Sequence, residues 1–182
     1  MKKIIFIALI CFTTINLFSQ SRYQELVPRK NIYVELGGNG IAFNIVAETR
    51  LKPCSDGLGV KVGAGGFSSP YEKIFTIPVQ ANWLFTNDNK NFFETGLGFT
   101  YLNYESKDYW GWSGYQPYPV DVIGMTIEHK NSVYGSVTLG YRKQPAKGGI
   151  TWGAALTPHF NKNGFWPIWF GFKFGYSIAK KK

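Results

Sequence analysis

Apolar and polar residues alternate along most of this chain. In "WFGFKFGYSI" (169–178), Phe170, Phe172, Phe174, Tyr176 and Ile178 share one face, and Trp169, Gly171, Lys173, Gly175 and Ser177 share the other. A period of two marks a strand with one apolar side. The same alternation predicts eight strands, over residues 31–37, 41–51, 57–67, 73–85, 91–104, 132–143, 149–160 and 167–178. Turn chemistry separates them: GGNG at 37–40, PCSDG at 53–57, TNDNKN at 86–91, QPAKGG at 144–149 and NKNG at 161–164. Successive strands with turn signals between them predict an all-β domain. No repeat and no low-complexity tract interrupts it.

The apolar phase can be followed from strand to strand. It runs through Ile32, Val34 and Leu36, then Ile41, Phe43, Ile45 and Ala47, and on to Ile150, Trp152, Ala154, Leu156 and Phe160, without a charge in the segment cores. The opposite phase collects Glu35, Asn44, Glu48, Arg50, Lys61, Gln80, Asn82, Glu94, Arg142, His159 and Lys173. A soluble secreted barrel that binds a small ligand would turn the apolar phase inward; a membrane barrel turns it outward. Two considerations favour the membrane. An eight-stranded barrel has room inside only for side chains or one small ligand, too little for so many Phe and Ile residues. Aromatics also gather toward strand ends (Trp83, Phe85, Phe93, Tyr101, Tyr141, Trp152, Tyr176), as interfacial girdles do. The expected fold is therefore an eight-stranded antiparallel up-and-down transmembrane β-barrel. In it Glu35, Glu48, Arg50, Lys61, Glu94, Arg142 and Lys173 form a network of charges across the lumen, since buried charges need partners. Plugging and stiffening the barrel is the expected role of this network, and a gated ion path or proton relay through the same residues is the alternative.

The ends and loops add localisation. Lys2 and Lys3, an apolar run from Ile4, and small or polar residues near Ser19 have the form of a secretory signal over residues 1–20, with cleavage between Ser19 and Ser21. Thr13, Thr14 and Asn16 break the run before it reaches the ~20 residues of a spanning helix. Bulky Ile10 before Cys11 argues against lipidation, and loss of Cys11 leaves Cys54 without an intramolecular partner. The barrel domain is expected over 31–178, in the outer membrane, with both termini periplasmic. Connections 52–56, 86–90 and 144–148 are then short periplasmic turns, and 105–131 is a long outer loop, the usual asymmetry. That loop carries Tyr109, Trp110, Trp112, Tyr115 and Tyr118, residue types that anchor interfaces, so a cell-surface ligand or lipopolysaccharide is the expected partner there. The alternative is that the loop packs on itself and caps the barrel. Removing Lys2 and Lys3 lowers the formal charge from +9 to +7. Lys52, Lys90, Lys143, Lys147 and the tail Lys180, Lys181 and Lys182 lie near turns and at the end, where they suit lipid headgroups or stay solvated. No basic helix or nucleic-acid module is present.

The segments "NIYVELGGNGIAFNIVAETRL" (31–51), "TIPVQANWLF" (76–85) and "GYRKQPAKGGITWGAALTPHF" (140–160), closed by "FGYSI", resemble the small outer-membrane β-barrel proteins of Bacteroidota-type bacteria. The resemblance covers most of the mature chain except the outer loop. It implies OmpA/OmpW-like architecture and no shared catalytic residue or ligand. Gly171, Phe174 and Tyr176 also resemble the C-terminal signal read by the outer-membrane insertion machinery, although the chain ends in AKKK and not in an aromatic residue.

Some barrels of this size are enzymes acting on lipid A, so catalytic residues merit a search. A serine nucleophile needs a histidine within hydrogen-bond reach and an acid to orient it. His159 and His129 are the two histidines. Near His159, Asn161 stands where the outer-membrane deacylase family has its serine, and Thr157 has no identifiable acid partner. No Cys, His or carboxylate spacing suggests a metal, and no Gly-rich loop joins strand to helix for phosphate. The expectation is a structural or surface-binding outer-membrane protein with neither enzymatic activity nor cofactor.

Overall fold

The computed structural model describes residues 29–70, 72–106, 120–122, 125–127 and 130–179. The described residues form twelve strands: β1 (Lys30–Gly37), β2 (Phe43–Arg50), β3 (Gly57–Ser68), β4 (Glu72–Thr86), β5 (Asn91–Ser106), β6 (Val120–Val122), β7 (Met125–Ile127), β8 (Asn131–Lys143), β9 (Gly149–Leu156), β10 (His159–Asn161), β11 (Gly164–Trp166) and β12 (Phe170–Ile178). The main sheet runs β8-β5-β4-β3-β2-β1-β12-β9, and β9 pairs back onto β8, so the sheet closes. Every pairing is antiparallel, and closure of β1 on β12 and of β9 on β8 leaves none of the eight staves as an edge, apart from β11 at one rim. The fold is an eight-stranded up-and-down barrel. No helix among the described residues is long and apolar enough to cross a membrane, which says nothing against crossing by strands.

Two of the eight staves are broken strands. Leu139 faces Leu156 and Ser136 faces His159, so β10 continues β9 in one register against β8. Pro158, which has no N–H, marks the break, and its carbonyl still accepts from Val137 N at 3.0 Å. On the return, Trp166 faces His159 but Phe170 faces Leu156, which leaves one extra residue around Pro167 and Ile168. This is a β-bulge. The strand expected over 149–160 is thus interrupted at Pro158. The closing strand expected from Pro167 begins at Phe170, with its outer continuation, β11, beyond the bulge.

The alternation divides the residues as the barrel wall requires. Ile32, Ile45, Leu97, Ile150, Phe172 and Phe174 point outward and are exposed, Phe172 at 61%. The inner phase is buried, and it is less polar than the sequence suggests. Leu84 and Phe92 fill the end of the lumen that carries the chain termini. Ile74, Leu102, Tyr104 and Tyr134 form an apolar cluster toward the other end, with Trp166 and Trp169 packed against it.

One expectation is overturned. The second strand was expected to start at Ile41, with Ile41 on the outward apolar phase. Instead β2 starts at Phe43, and residues Gly38–Gly40 form a 3-10 turn that folds into the barrel. Ile41 follows it inward and is 3% exposed, packed in the Ile74–Tyr134 cluster. Gly37 and Gly38, at φ 71° and 61°, make the reversal possible without a Cβ clash. Ile41 itself sits at φ 68°, an outlier for a β-branched residue.

Candidate functional site in the barrel lumen

The lumen holds two polar layers. The first lies toward the termini and is built on two acids, Glu48 of β2 and Glu94 of β5. Arg142 of β8 donates through Nη1 and Nη2 to Glu48 at 2.8 and 2.7 Å, and through Nε to Glu94 at 3.0 Å. Since β2 and β8 are four staves apart in either direction around the ring, these bonds cross the full lumen. Lys173 Nζ of β12 donates to Glu94 at 2.7 Å, and Lys61 Nζ of β3 reaches it at 3.4 Å. Arg50 bonds to Glu48, to Asn82 Oδ1 at 2.6 Å and to the Gly57 carbonyl at 2.8 Å. Asn82 Nδ2 bridges the acids by donating to both Glu48 and Glu94. The Tyr33 ring lies 5.6 Å from both the Arg142 guanidinium and Lys173 Nζ, which adds cation–π contacts. Every charge in this layer is buried. Desolvation on that scale is tolerated only where each ion has partners in good geometry.

Of the seven charged residues singled out in the sequence, six meet in this layer. Glu35 stands apart. It is 1% exposed, and its Oε2 has no partner among the described residues; its carboxyl packs against Gly38 of the inward turn.

The second layer surrounds Asn39, the tip of that turn. Asn39 Nδ2 donates to Gln80 Oε1 at 3.0 Å, and Thr138 Oγ1 donates to Asn39 Oδ1 at 3.2 Å. The Asn39 carbonyl accepts from Thr100 Oγ1 at 2.7 Å and from Tyr134 OH at 2.8 Å. Thr76 Oγ1 adds a bond to the Gly40 carbonyl at 3.1 Å. Asn39 thereby ties β4, β5 and β8 to the β1–β2 connection through the middle of the barrel. Asn39, Tyr33, Thr100, Tyr134 and Thr138 were not singled out in the sequence. The only cue to an inward turn is a short Gly-rich connection followed at once by an apolar residue.

His159 is buried beside the second layer. Its ring meets Tyr134 edge-on at 5.0 Å and lies 6.2 Å from the Trp169 ring. The Thr157 hydroxyl donates to the Trp169 carbonyl at 3.2 Å, and Asn161 Oδ1 accepts from the backbone N–H groups of Asn163 and Gly164. Both neighbours considered for His159 chemistry are thus engaged locally. Cys54 is free and half-buried in the β2–β3 turn. The loop aromatics Tyr109, Trp110, Trp112, Tyr115 and Tyr118, together with His129, the signal segment 1–20 and the Lys180–Lys182 tail, lie outside the described residues.

No protein-family model matches the chain, and no curated protein matches it in sequence. Solved structures do match in shape. The N-terminal β-barrel domain of Pseudomonas aeruginosa OprF aligns at a TM-score of 0.52 and 9% identity, over 85% of this chain and 98% of that one. This chain has the fold of the eight-stranded outer-membrane barrels. Neisserial surface protein A aligns at 0.47 and 13% identity, over 83% of this chain and 93% of that one. The Yersinia pestis outer membrane protein Ail aligns at 0.45 and 9% identity, over 84% of this chain and 99% of that one.

Proposed function

We propose that this chain is an outer-membrane protein whose barrel is a filled, non-conducting and non-enzymatic scaffold. It carries the long loop 105–131 at the cell surface and has both termini in the periplasm. The observation that carries this reading is the Arg142–Glu48 contact, made between opposite staves. With Lys173, Lys61 and the Asn39 turn also in the lumen, a hydrated ion would have to displace several charge-assisted hydrogen bonds, each worth about 1.5–3 kcal/mol. The outward phase is uncharged between the strand ends, which supports insertion, because a charge at the midplane of a barrel face costs about 2–4 kcal/mol. The loop residues Tyr109, Trp110, Trp112, Tyr115 and Tyr118 are the proposed binding surface, for lipopolysaccharide or another surface ligand. The closing strand, with Phe174 and Tyr176 exposed on its outward face, is what the insertion machinery would read.

Membrane fractionation combined with heat-modifiable gel mobility tests the location. Recovery from the soluble periplasm would overturn the proposal. Planar-bilayer recording of the same heat-modifiable protein tests the filled lumen: a steady open conductance in the unmodified chain would refute it.

A further inference from the structure

Exposed charge is divided unequally between the two ends of the barrel. At the end carrying the termini, Arg29, Lys30, Lys52, Lys90, Lys143 and Lys147 are exposed. The exposed acids there are Asp56 and Asp88, so six cations against two acids leave four net positive charges. None of the six cations has an ion-pair partner among the described residues. Asp88 is engaged in its own turn, where it accepts from the backbone N–H groups of Lys90 and Asn91. At the opposite end, Lys73, Lys130 and Lys162 stand against Glu72 and Glu105, with Lys130 bonded to Glu105 at 2.5 Å. Asp121, on β6 of the β6–β7 hairpin that meets β11 at this end, brings the count there to three cations against three acids among the described residues.

The cations also sit at a defined height. Lys143 faces Trp152 across β8–β9, and Lys30 faces Ile178 across β1–β12, two residues from Tyr176. Trp83, Tyr141, Trp152 and Tyr176 form an exposed Trp/Tyr girdle at this end of the barrel. Such girdles lie at the headgroup level of a bilayer. The unpaired cations lie beside that girdle and just beyond it, at the level of lipid phosphates.

We propose that this end is a cationic collar that binds anionic phospholipid headgroups, of the phosphatidylglycerol class, in the periplasmic leaflet. The inference rests on the membrane reading above and goes beyond it by naming a lipid class and a leaflet. Charge decides between the candidate lipids. Each basic group near an anionic surface raises partitioning about fivefold, and a zwitterionic surface gives no such gain. The polyanionic lipids of the outer leaflet meet the end whose described cations are balanced by acids.

The test uses the full mature chain in phosphatidylcholine vesicles, with brominated phosphatidylglycerol or brominated phosphatidylcholine as quencher of the girdle residues Trp83 and Trp152. Relative quenching gives a relative lipid-binding constant. Phosphatidylglycerol should be preferred by about fivefold or more at low salt, and molar salt should collapse the preference. The combined variant Lys52→Gln, Lys90→Gln, Lys143→Gln and Lys147→Gln should lose it, while Lys73→Gln with Lys162→Gln should keep it. No preference in the unmodified protein would overturn the collar, as would a preference that survives the four substitutions. Loss of preference in the Lys73/Lys162 control would move anionic-lipid binding to the other end and overturn it too. Heat-modifiable mobility is checked first: a chain that fails to insert refutes the membrane reading, whereas an inserted barrel without lipid preference refutes only the collar.

Discussion

Replacing Glu94 with Gln removes the acid on which three cations converge. Glu94 accepts from Lys61 at 3.4 Å, Arg142 at 3.0 Å, Lys173 at 2.7 Å and Asn82 at 3.1 Å. Once it is neutral, Glu48 alone must balance Arg50, Lys61, Arg142 and Lys173, four buried cations against one carboxylate. Arg142→Met is the instructive contrast. It leaves Arg50 with Glu48, and Lys61 and Lys173 with Glu94, so that each remaining ion keeps a partner. Breaking a buried pair by removing one partner costs about 3–5 kcal/mol. Glu94→Gln should fall in that range, because the amide keeps one acceptor oxygen but no charge. Arg142→Met should cost about 2–3 kcal/mol, since an apolar side chain takes over the volume and the remaining charges stay paired. For a domain whose total stability is about 5–15 kcal/mol, that difference is easily resolved. Guanidinium unfolding of the vesicle-inserted protein, followed by tryptophan fluorescence with gel mobility as a second readout, measures both. Lys173 has a fallback, because Glu35 lies directly across β1–β12. Glu35→Gln in the Glu94→Gln background should therefore deepen the loss. The charge-counting argument fails if Arg142→Met is the more damaging of the two single changes, or if Glu94→Gln costs under about 1 kcal/mol.

Three further outcomes follow from other parts of the molecule. Asn39→Ala removes one side-chain partner each from Gln80 and Thr138, which keep their bond to each other; a loss of about 1–2 kcal/mol is expected in the same unfolding assay. Phe172→Arg places a charge on the outward face of β12, where Phe172 is 61% exposed. It should cost about 2–4 kcal/mol and lower the yield of heat-modifiable protein; undiminished membrane yield would show that this face does not meet lipid. In the exposed turn at 87–90, the backbone N–H groups of Asn91 and Lys90 hold the Asp88 carboxyl below the ordinary aspartate range. A depressed folded value means that its contribution is present above the unfolded value of about 3.9 and is lost as pH falls through the folded one. The stability gap between the native protein and Asp88→Asn should thus be widest near neutrality and close in acid, as unfolding midpoints across that range would register.

The wall of the barrel was legible because a period of two is imposed residue by residue. Once Phe170 to Ile178 fixed the outward phase, a stripe free of charge in the segment cores could be traced through every other stave. The charged layer was legible for a related reason: Glu48, Lys61, Glu94 and Lys173 all occupy the opposite phase, and ions excluded from the outward face have one place left to go. What alternation does not encode is height along the lumen. Leu84 and Phe92 share the phase of Asn82 and Glu94, yet they pack as an apolar closure at one end, while Ile74 and Leu102 do the same toward the other. The bulge at Pro167 and Ile168 was equally hidden, because one extra residue on one strand depends on the partner's register and leaves little mark in a single sequence.

The inward turn is the place where local pattern and tertiary demand part. By alternation Ile41 belongs outside, where lipid would accept it as readily as a protein core. By conformation it is costly inside, since a non-glycine residue in the left-handed region carries about 1–3 kcal/mol of strain. Burial of its side chain recovers nothing relative to lipid, so the strain must be offset by other groups. The balance is set by the polar groups that Asn39 satisfies. With the turn outside, Asn39 would be solvated at no cost. Gln80 and Thr138 would keep their bond to each other, at 2.8 Å. The acceptor and donor that Asn39 offers to Gln80, Thr100, Thr138 and Tyr134 would be lost, at about 0.5–1.5 kcal/mol for each bond. The position of residues 37–41 is therefore dictated by side chains on β4, β5 and β8, between about 40 and 100 residues away in sequence. The same bonds make the Asn39 turn a structural member of the lumen, set above the charged layer of Glu48, Glu94 and Arg142.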